Sequence, residues 1–290
     1  MKTLSRSLIP TDFAYYRTWS RVWYDYYRKY TQLIIHRIGS GYEFIKAGRI
    51  IGNIYSVIAE KIDIEPTREM LNQLGIKHAI IFWWPMRVMD RPRGWIRLPN
   101  IFHRFEWFFH SSRSAFSILD RPDYWNKWTA PARAHRRKVH DLMDAGILRI
   151  EQITDLSIYL DIYHNTRVPD PHKAYLTQWL TRKAAIGTDD IRIYIAYIDD
   201  RPLAGAIFID EGVTSEYFTS FYHADSHPYH LGIAMMDRWM LDSYEKSIKY
   251  CDLDHMRDSG QSVSYAGYTQ FKSSIADCDI YFHDMWIKIF

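Results

Sequence analysis

Cysteine is the first scarcity. Only Cys251 and Cys278 occur in 290 residues, so at most one bridge can form, and a reducing, cytoplasmic compartment is the simpler setting. Long apolar runs are missing as well. The most compact one, Ala-Ile-Ile-Phe-Trp-Trp-Pro-Met over 79–86, is far too short to cross a bilayer, so no integral membrane segment is expected. The start of the chain lacks the apolar core of a secretory leader: Met1-Lys2-Thr3-Leu4 runs through Arg6 into charged aromatic sequence. Charge of one sign is equally scarce. A formal net charge of +3 is too mild to argue for nucleic acid by itself.

What is present is apolar and aromatic. A hydrophobic share of 47% is ample for a packed core, and an aromatic share of 16%, with 22 Tyr and 11 Trp, is high for an enzyme. Tyr and Trp suit grooves and interfaces with one apolar and one wet end. Tyr15, Tyr16, Trp19, Trp23, Tyr24, Tyr26 and Tyr27, interleaved with Arg17, Arg21, Arg28 and Lys29, allow a peripheral membrane contact. A helix packing these aromatics against the protein body is the preferred reading.

Periodicity predicts a helix from Asp12 to about Ile38. Residues 42–58 read as two strands around a turn at Ala47-Gly48. A short helix over 66–75 feeds an apolar strand over 78–84, and 86–100 reads as a loop. Strand is expected within 105–119, then a long helical segment over 120–144 with a break near Pro131. A strand over 147–150 and helices over 157–167 and 172–186 follow. Residues 191–209 are again strand, turn and strand, 216–222 a strand, 231–246 an amphipathic helix, and 250–253 a strand. Arg49-Ile-Ile-Gly52 and Arg201-Pro-Leu-Ala-Gly205, half a chain apart, suggest a duplicated unit.

The stretch Tyr250-Cys-Asp-Leu-Asp-His-Met-Arg-Asp-Ser-Gly-Gln-Ser262 ends a strand in charge and leads through a small-residue loop to Phe271-Lys272. Polar residues just past a strand's C-terminal end are where α/β sheets place ligand chemistry. Two further patterns accompany it: the basic run from Arg133 to Ala145-Gly146-Ile147, and the passage from Ala224 to Trp239. Together with strand–turn–strand–strand–helix–strand order in both halves, these resemble the Fem-type (FemA, FemB, FemX) tandem GNAT-like aminoacyl- and acyltransferases over nearly the whole chain. The closing Phe271-Lys272 is the most specific of the three.

The resemblance implies an α/β (α+β) chain of two tandem GNAT-like units with mixed central sheets, divided as 1–148 and 149–290. It implies an acyl- or aminoacyl-transferase moving an activated acyl group onto an amine acceptor, such as a peptidoglycan cell-wall precursor. The donor is a co-substrate, aminoacyl-tRNA or an acyl-CoA or acyl carrier protein, with no tightly bound cofactor. The long coiled-coil arm of some Fem proteins has no counterpart in 151–290, which counts against charged tRNA. The pyrophosphate loop of CoA-using relatives is also missing, with His230-Leu-Gly232 a faint trace, which counts against CoA. A GNAT-like binding or scaffold protein without catalysis is the alternative.

Acyl transfer needs a free amine, a held acyl group and stabilisation of the tetrahedral oxyanion. The resemblance assigns Lys272 to the transfer step, and backbone N–H groups of the strand 216–222 to the donor carbonyl. Asp252, Asp254 and His255 are candidates for taking the amine proton. Arg257 suits a carboxylate or phosphate, and Tyr222, Tyr265 and Tyr268 are candidates to line the acceptor groove. His223, Asp225, His227 and His230 invite a metal site, but Pro228 and the lack of a helical i, i+4 pair argue against one. Arg133, Arg136, Arg137 and Lys138 read as a solvated helix face, with a phosphate partner as the alternative.

Overall fold

Strand-forming runs of β-branched and aromatic residues dominate both halves of the computed structural model. It describes residues 5–7, 33–38, 41–60, 64–73, 75–85, 90–98, 113–166, 170–185, 187–257, 266–281 and 285–290. In chain order the described elements begin β1 (Ser5–Ser7), β2 (Leu33–Ile38), β3 (Gly41–Ile51), β4 (Ile54–Glu60), α1 (Arg68–Gln73), β5 (His78–Trp84), β6 (Ile96–Arg97) and β7 (Arg113–Ile118). They continue with α2 (Ala130–Asp144), β8 (Leu148–Ile153), α3 (Leu156–His164), α4 (Asp170–Ala184), β9 (Ile191–Ile198), β10 (Arg201–Glu211) and β11 (Thr214–Tyr222). The last are α5 (Leu231–Glu245), β12 (Tyr250–His255), α6 (Ala266–Ile275), β13 (Cys278–Tyr281) and β14 (Trp286–Ile289).

These strands form two mixed sheets. One has eight strands in the order β1-β13-β7-β12-β11-β10-β9-β8, the other six in the order β2-β3-β4-β5-β14-β6. The described residues of Ala115–Asp254 and Gln270–Cys278 make one compact unit. Those of Arg6–Ser114, His255–Thr269 and Asp279–Phe290 make the other.

In the first unit β8, β9, β10 and β11 form an antiparallel meander, and α5 then carries the chain to β12, parallel to β11. In the second, β2, β3 and β4 run antiparallel, and α1 leads to β5, parallel to β4. The same motif occurs twice: an antiparallel meander, a crossover helix and a parallel strand. The duplication expected from sequence therefore holds at the level of topology, but the register of the match is different. The strands before the crossover are β3–β4 and β10–β11, whereas the sequence comparison paired 42–58 with β9–β10. Gly52 is a turn glycine with φ of 54°. Gly205 lies within β10, where an added Cβ would sit 2.4 Å from the Phe221 ring.

Local chemistry accounts for the boundaries. Pro131 occupies the first turn of α2, where its missing N–H costs nothing. The expected break is thus the helix start, and Tyr124–Lys127 is a separate 3-10 turn. Gly146, at φ of 71°, closes α2 in the left-handed conformation. Asp155 caps α3 by accepting from the Ser157 N–H. Asp199 and Asp200, at φ of 45° and 64°, give the β9–β10 hairpin its two left-handed turn residues.

Three expectations are corrected. Leu33–Ile38 is strand rather than the end of a helix: its branched residues pair with β3 across the sheet. The rest of that expected helix, 12–32, lies outside the described residues, as does the aromatic stretch proposed for membrane contact. The first hairpin turns at Gly52-Asn53, since Ala47 and Gly48 pair with Val57 and Ser56 inside the ladder. Within the expected loop 86–100, Ile96–Arg97 adds a short strand against β14.

Each unit has its own core. In the second, Val57, Ile81, Trp83, Trp95 and Trp286 pack with Met70 and Leu71 of α1. In the first, Phe208 stacks on Trp239 with centroids 4.4 Å apart. Beside them the buried Arg192 guanidinium is held by Asp210, Ser215 and Ser243.

Candidate functional site

The parallel pairing of β11 and β12 is short. Thr214, Ser215 and Glu216 pair with Tyr250, Cys251 and Asp252, and there the ladder stops. A bulge explains why. Ile207 pairs with Thr219 but Phe208 with Tyr217, so Phe218 is an extra residue that bends β11 just after Glu216. Phe218 is anchored by stacking on Trp179 of α4 at 4.3 Å. On the opposite strand Asp254 adopts φ of 66°, and its N–H donates to Asp252 Oδ1 at 2.8 Å. The two strands part between these features, and the β12-facing edge of 217–222 is left without a ladder partner in β12.

Lys272 lies beside this divergence. It sits on α6 and is 4% exposed. Its Nζ is 3.7 Å from Asp254 Oδ2 and 5.8 Å from the centre of the Tyr217 ring. Burial pushes the Lys272 ammonium below the usual lysine range, while the carboxylates of Asp254, Asp252 and Glu216 push it back up. The result is one buried cation among three acidic groups at the point where the sheet opens.

Hydroxyls gather next to it. Tyr217 Oη and Ser220 Oγ are hydrogen-bonded, and the Tyr222 hydroxyl joins both. Tyr222 is 39% exposed as a whole residue, yet burial of its hydroxyl raises its pKa. Burial also lifts Tyr159 and Tyr217 well above the usual tyrosine range. Tyr159 Oη is buried without a hydrogen-bond partner among the described residues. Gly232, in the first turn of α5, has no side chain to fill the space near Phe271. A Cβ there would meet the Phe271 ring at 3.4 Å and Tyr222 Oη at 3.9 Å.

Of the residues singled out from sequence, Lys272, Asp254 and Tyr222 belong to this unit, and Lys272 and Asp254 are in contact. His255, Arg257 and Tyr268 belong to the other unit. There the His255 and Tyr268 rings meet edge to face at 5.7 Å. The Arg257 N–H donates to Thr269 Oγ1, and its carbonyl accepts from Arg113. Tyr265 lies outside the described residues. Sequence reasoning did not single out Tyr217 or Glu216 as site residues. The only signal for them was their place at the start of the strand, since the bulge that turns Tyr217 toward Ser220 leaves no pattern in the residue types.

Two other sequence features have structural partners. Arg136 pairs with Asp237 at 2.7 Å and lies over Trp125. Arg133 donates to the Trp128 carbonyl. Only Arg137 and Lys138 of that basic run are exposed. His230 stacks on His135 at 3.9 Å, and Asp225 pairs with Arg201. Among the described residues no three His, Cys, Asp or Glu side chains are grouped to hold a metal ion. Cys251 and Cys278 are both buried and form no disulfide.

Residues 131–273, just under half of the chain, match the family described as acetyltransferase (GNAT) domain. In fold the chain resembles FemX, with a TM-score of 0.69 at 10% identity, covering 94% of this chain and 92% of that one. A conserved protein of unknown function from Bacteroides thetaiotaomicron VPI-5482 is also similar, with a TM-score of 0.57 at 9% identity over 92% of this chain and 88% of that one. No curated protein sequence matches. The fold is the tandem GNAT-like arrangement of two mixed sheets that the Fem resemblance implied, and the family match supports acyl transfer in general.

Proposed function

We propose that this chain transfers an activated acyl or aminoacyl group to an amine, with the reaction centred where β11 and β12 part. The observation that carries the reading is the buried Lys272 beside that divergence, within reach of Asp254. In this reading the donor carbonyl lies along the unpaired edge of 217–222, where backbone N–H groups face the gap. The amine attacks the acyl carbon and the carbonyl electrons move to oxygen. The Lys272 ammonium stabilises that oxyanion in a site of low dielectric. Asp254 takes the proton lost by the amine. Collapse of the intermediate re-forms the carbonyl, breaks the bond to the leaving group and returns a proton to it, giving amide and free carrier.

The unpartnered Tyr159 hydroxyl and the Tyr217–Ser220–Tyr222 group support a polar ligand in the same unit. The Fem likeness in fold supports an aminoacyl donor and a peptidoglycan precursor as acceptor. The acetyltransferase match supports an acyl-CoA or acyl carrier protein donor instead.

The test is thermal unfolding with acetyl-CoA, a long-chain acyl-CoA, charged tRNA and a nucleotide-linked muropeptide, followed by product detection by mass spectrometry. A ligand at a hundredfold its dissociation constant that binds only the folded state adds about 2.7 kcal/mol. A shift and amide product with charged tRNA and muropeptide identify the Fem-like reaction. A shift and product with an acyl-CoA identify ordinary N-acyl transfer. No shift and no product with any of them favours a binding or scaffold protein and sinks the transferase reading.

A further inference from the structure

The hairpin of β3 and β4 ends in isoleucine rather than in the polar residues usual at a turn. Ile50, Ile51 and Ile54 flank Gly52-Asn53 and are 50%, 74% and 44% exposed. Ile51 pairs with Ile54, and Arg49 with Tyr55. Ile50 is therefore the extra residue of a bulge, which adds a third isoleucine to the tip.

One rung behind the isoleucines the chemistry changes. The Arg49 guanidinium lies over the Tyr55 ring at 5.7 Å, with Nη2 3.5 Å from the Tyr55 hydroxyl. A cation and an amphipathic ring behind an apolar tip match the order of layers at a lipid surface, where Tyr and Arg settle at the headgroups. The distance fits too. Two residues of strand span about 7 Å, within the roughly 5–10 Å to which interfacial segments enter. Near the tip the hairpin carries Lys46 and Arg49, while its two acids, Glu43 and Glu60, lie at the end of the strands away from the tip. Beside the tip, Ile54 pairs with His78 at the start of β5. The exposed Lys77 precedes it, with its carbonyl accepting from Arg68.

We propose that the β3–β4 tip is an interfacial anchor that inserts Ile50, Ile51 and Ile54 into the surface of an anionic lipid bilayer while Arg49 and Tyr55 rest at the phosphate level. The positive end of the hairpin, free of acid around the tip, selects an anionic lipid surface over a protein partner. The proposal does not depend on the transfer reaction.

The test is cosedimentation of the full chain with vesicles of phosphatidylcholine alone and of an equimolar phosphatidylcholine–phosphatidylglycerol mixture. The wild type should bind the mixed vesicles more tightly, and added salt should weaken that binding. Ile51→Ser with Ile54→Ser should lose at least tenfold in partitioning with an unchanged thermal midpoint. Arg49→Gln should lose about fivefold on the mixed vesicles and little on the neutral ones. Absence of wild-type binding to the mixed vesicles, or equal binding by the isoleucine variant, overturns the proposal. Concentration-dependent self-association abolished by the same isoleucine substitutions, without vesicle binding, would assign the tip to a protein interface instead.

Discussion

Replacing Lys272 with Met keeps the volume and removes the charge, and the structure predicts opposite pH trends for stability and activity. A lysine whose folded pKa lies below its unfolded value holds fewer protons in the folded state between those two values. Stability therefore rises with pH from the folded pKa of Lys272 up to about 10.4, the ordinary lysine value. In the proposed reaction transfer depends on the ammonium, so activity should fall over the same window. Buried tyrosines with raised pKa values push stability the other way in alkali, so the quantity to read is wild type minus Lys272→Met. That difference should grow with pH in urea unfolding monitored by tryptophan fluorescence.

Near pH 7 the substitution should leave stability unchanged or raise it, because burial of the ammonium outweighs the attraction of its carboxylates. The Asp254 side chain is 34% exposed, so water can take over its solvation. Turnover, once a donor–acceptor pair is found, should fall by about 10²–10³, the scale of one lost oxyanion donor. A flat difference in stability across alkaline pH would refute the claim that burial dominates at Lys272. Turnover within tenfold of wild type would remove it from the transfer step.

Two further substitutions test the frame around the site. Gly205→Ala drives a Cβ to 2.4 Å from the Phe221 ring, which Tyr159 and Tyr163 already hold at 5.3 and 6.0 Å. Overpacking of about 1–3 kcal/mol should follow, and Phe221→Leu should recover most of it in thermal unfolding; unaltered stability of Gly205→Ala alone would contradict that close approach. Asp237→Ala leaves Arg136, His140 and the Tyr124 hydroxyl without the carboxylate that binds all three at 2.7–2.9 Å. Because that carboxylate is 9% exposed, unfolding by urea should show a loss of about 3–5 kcal/mol, and a loss under 1 kcal/mol would mean the cluster contributes little.

Most of the fold was legible because its strands and helices carry their own punctuation. Asp199-Asp200, Gly146 and the apolar run 78–84 each mark a boundary by backbone preference, and the structure puts turns, a helix end and a strand there. The errors fall where local preference is shared between states. Leu33–Ile38 follows a long aromatic stretch of helical spacing, so only pairing with β3 makes it strand. Ala47-Gly48 looks like a turn by composition, but the pairing of Ala47 with Val57 carries the ladder past it to Gly52. The repeated unit was visible as an order of elements, whereas its alignment depended on which strand precedes the parallel crossover, and hydrogen bonding between distant strands decides that.

At the candidate site, the residue types were legible and their grouping was not. Asp254, His255 and Arg257 are neighbours in sequence and read as one polar cluster. Side chains alternate along a strand, so Asp252 and Asp254 share the face on which Lys272 feels both. The left-handed turn at Asp254 then ends that alternation. His255 and Arg257 pass into the other compact unit, where Tyr268, Thr269 and Arg113 engage them. The acidic partners of Lys272 come instead from two strands, Glu216 from β11 and Asp252 with Asp254 from β12. They meet because three rungs of parallel pairing hold the strands together before the Phe218 bulge separates them. The setting of Lys272 therefore depends on a sheet defect 54 residues before it. Restoring a regular register at Phe218 should disturb the charge of Lys272 without touching its side chain.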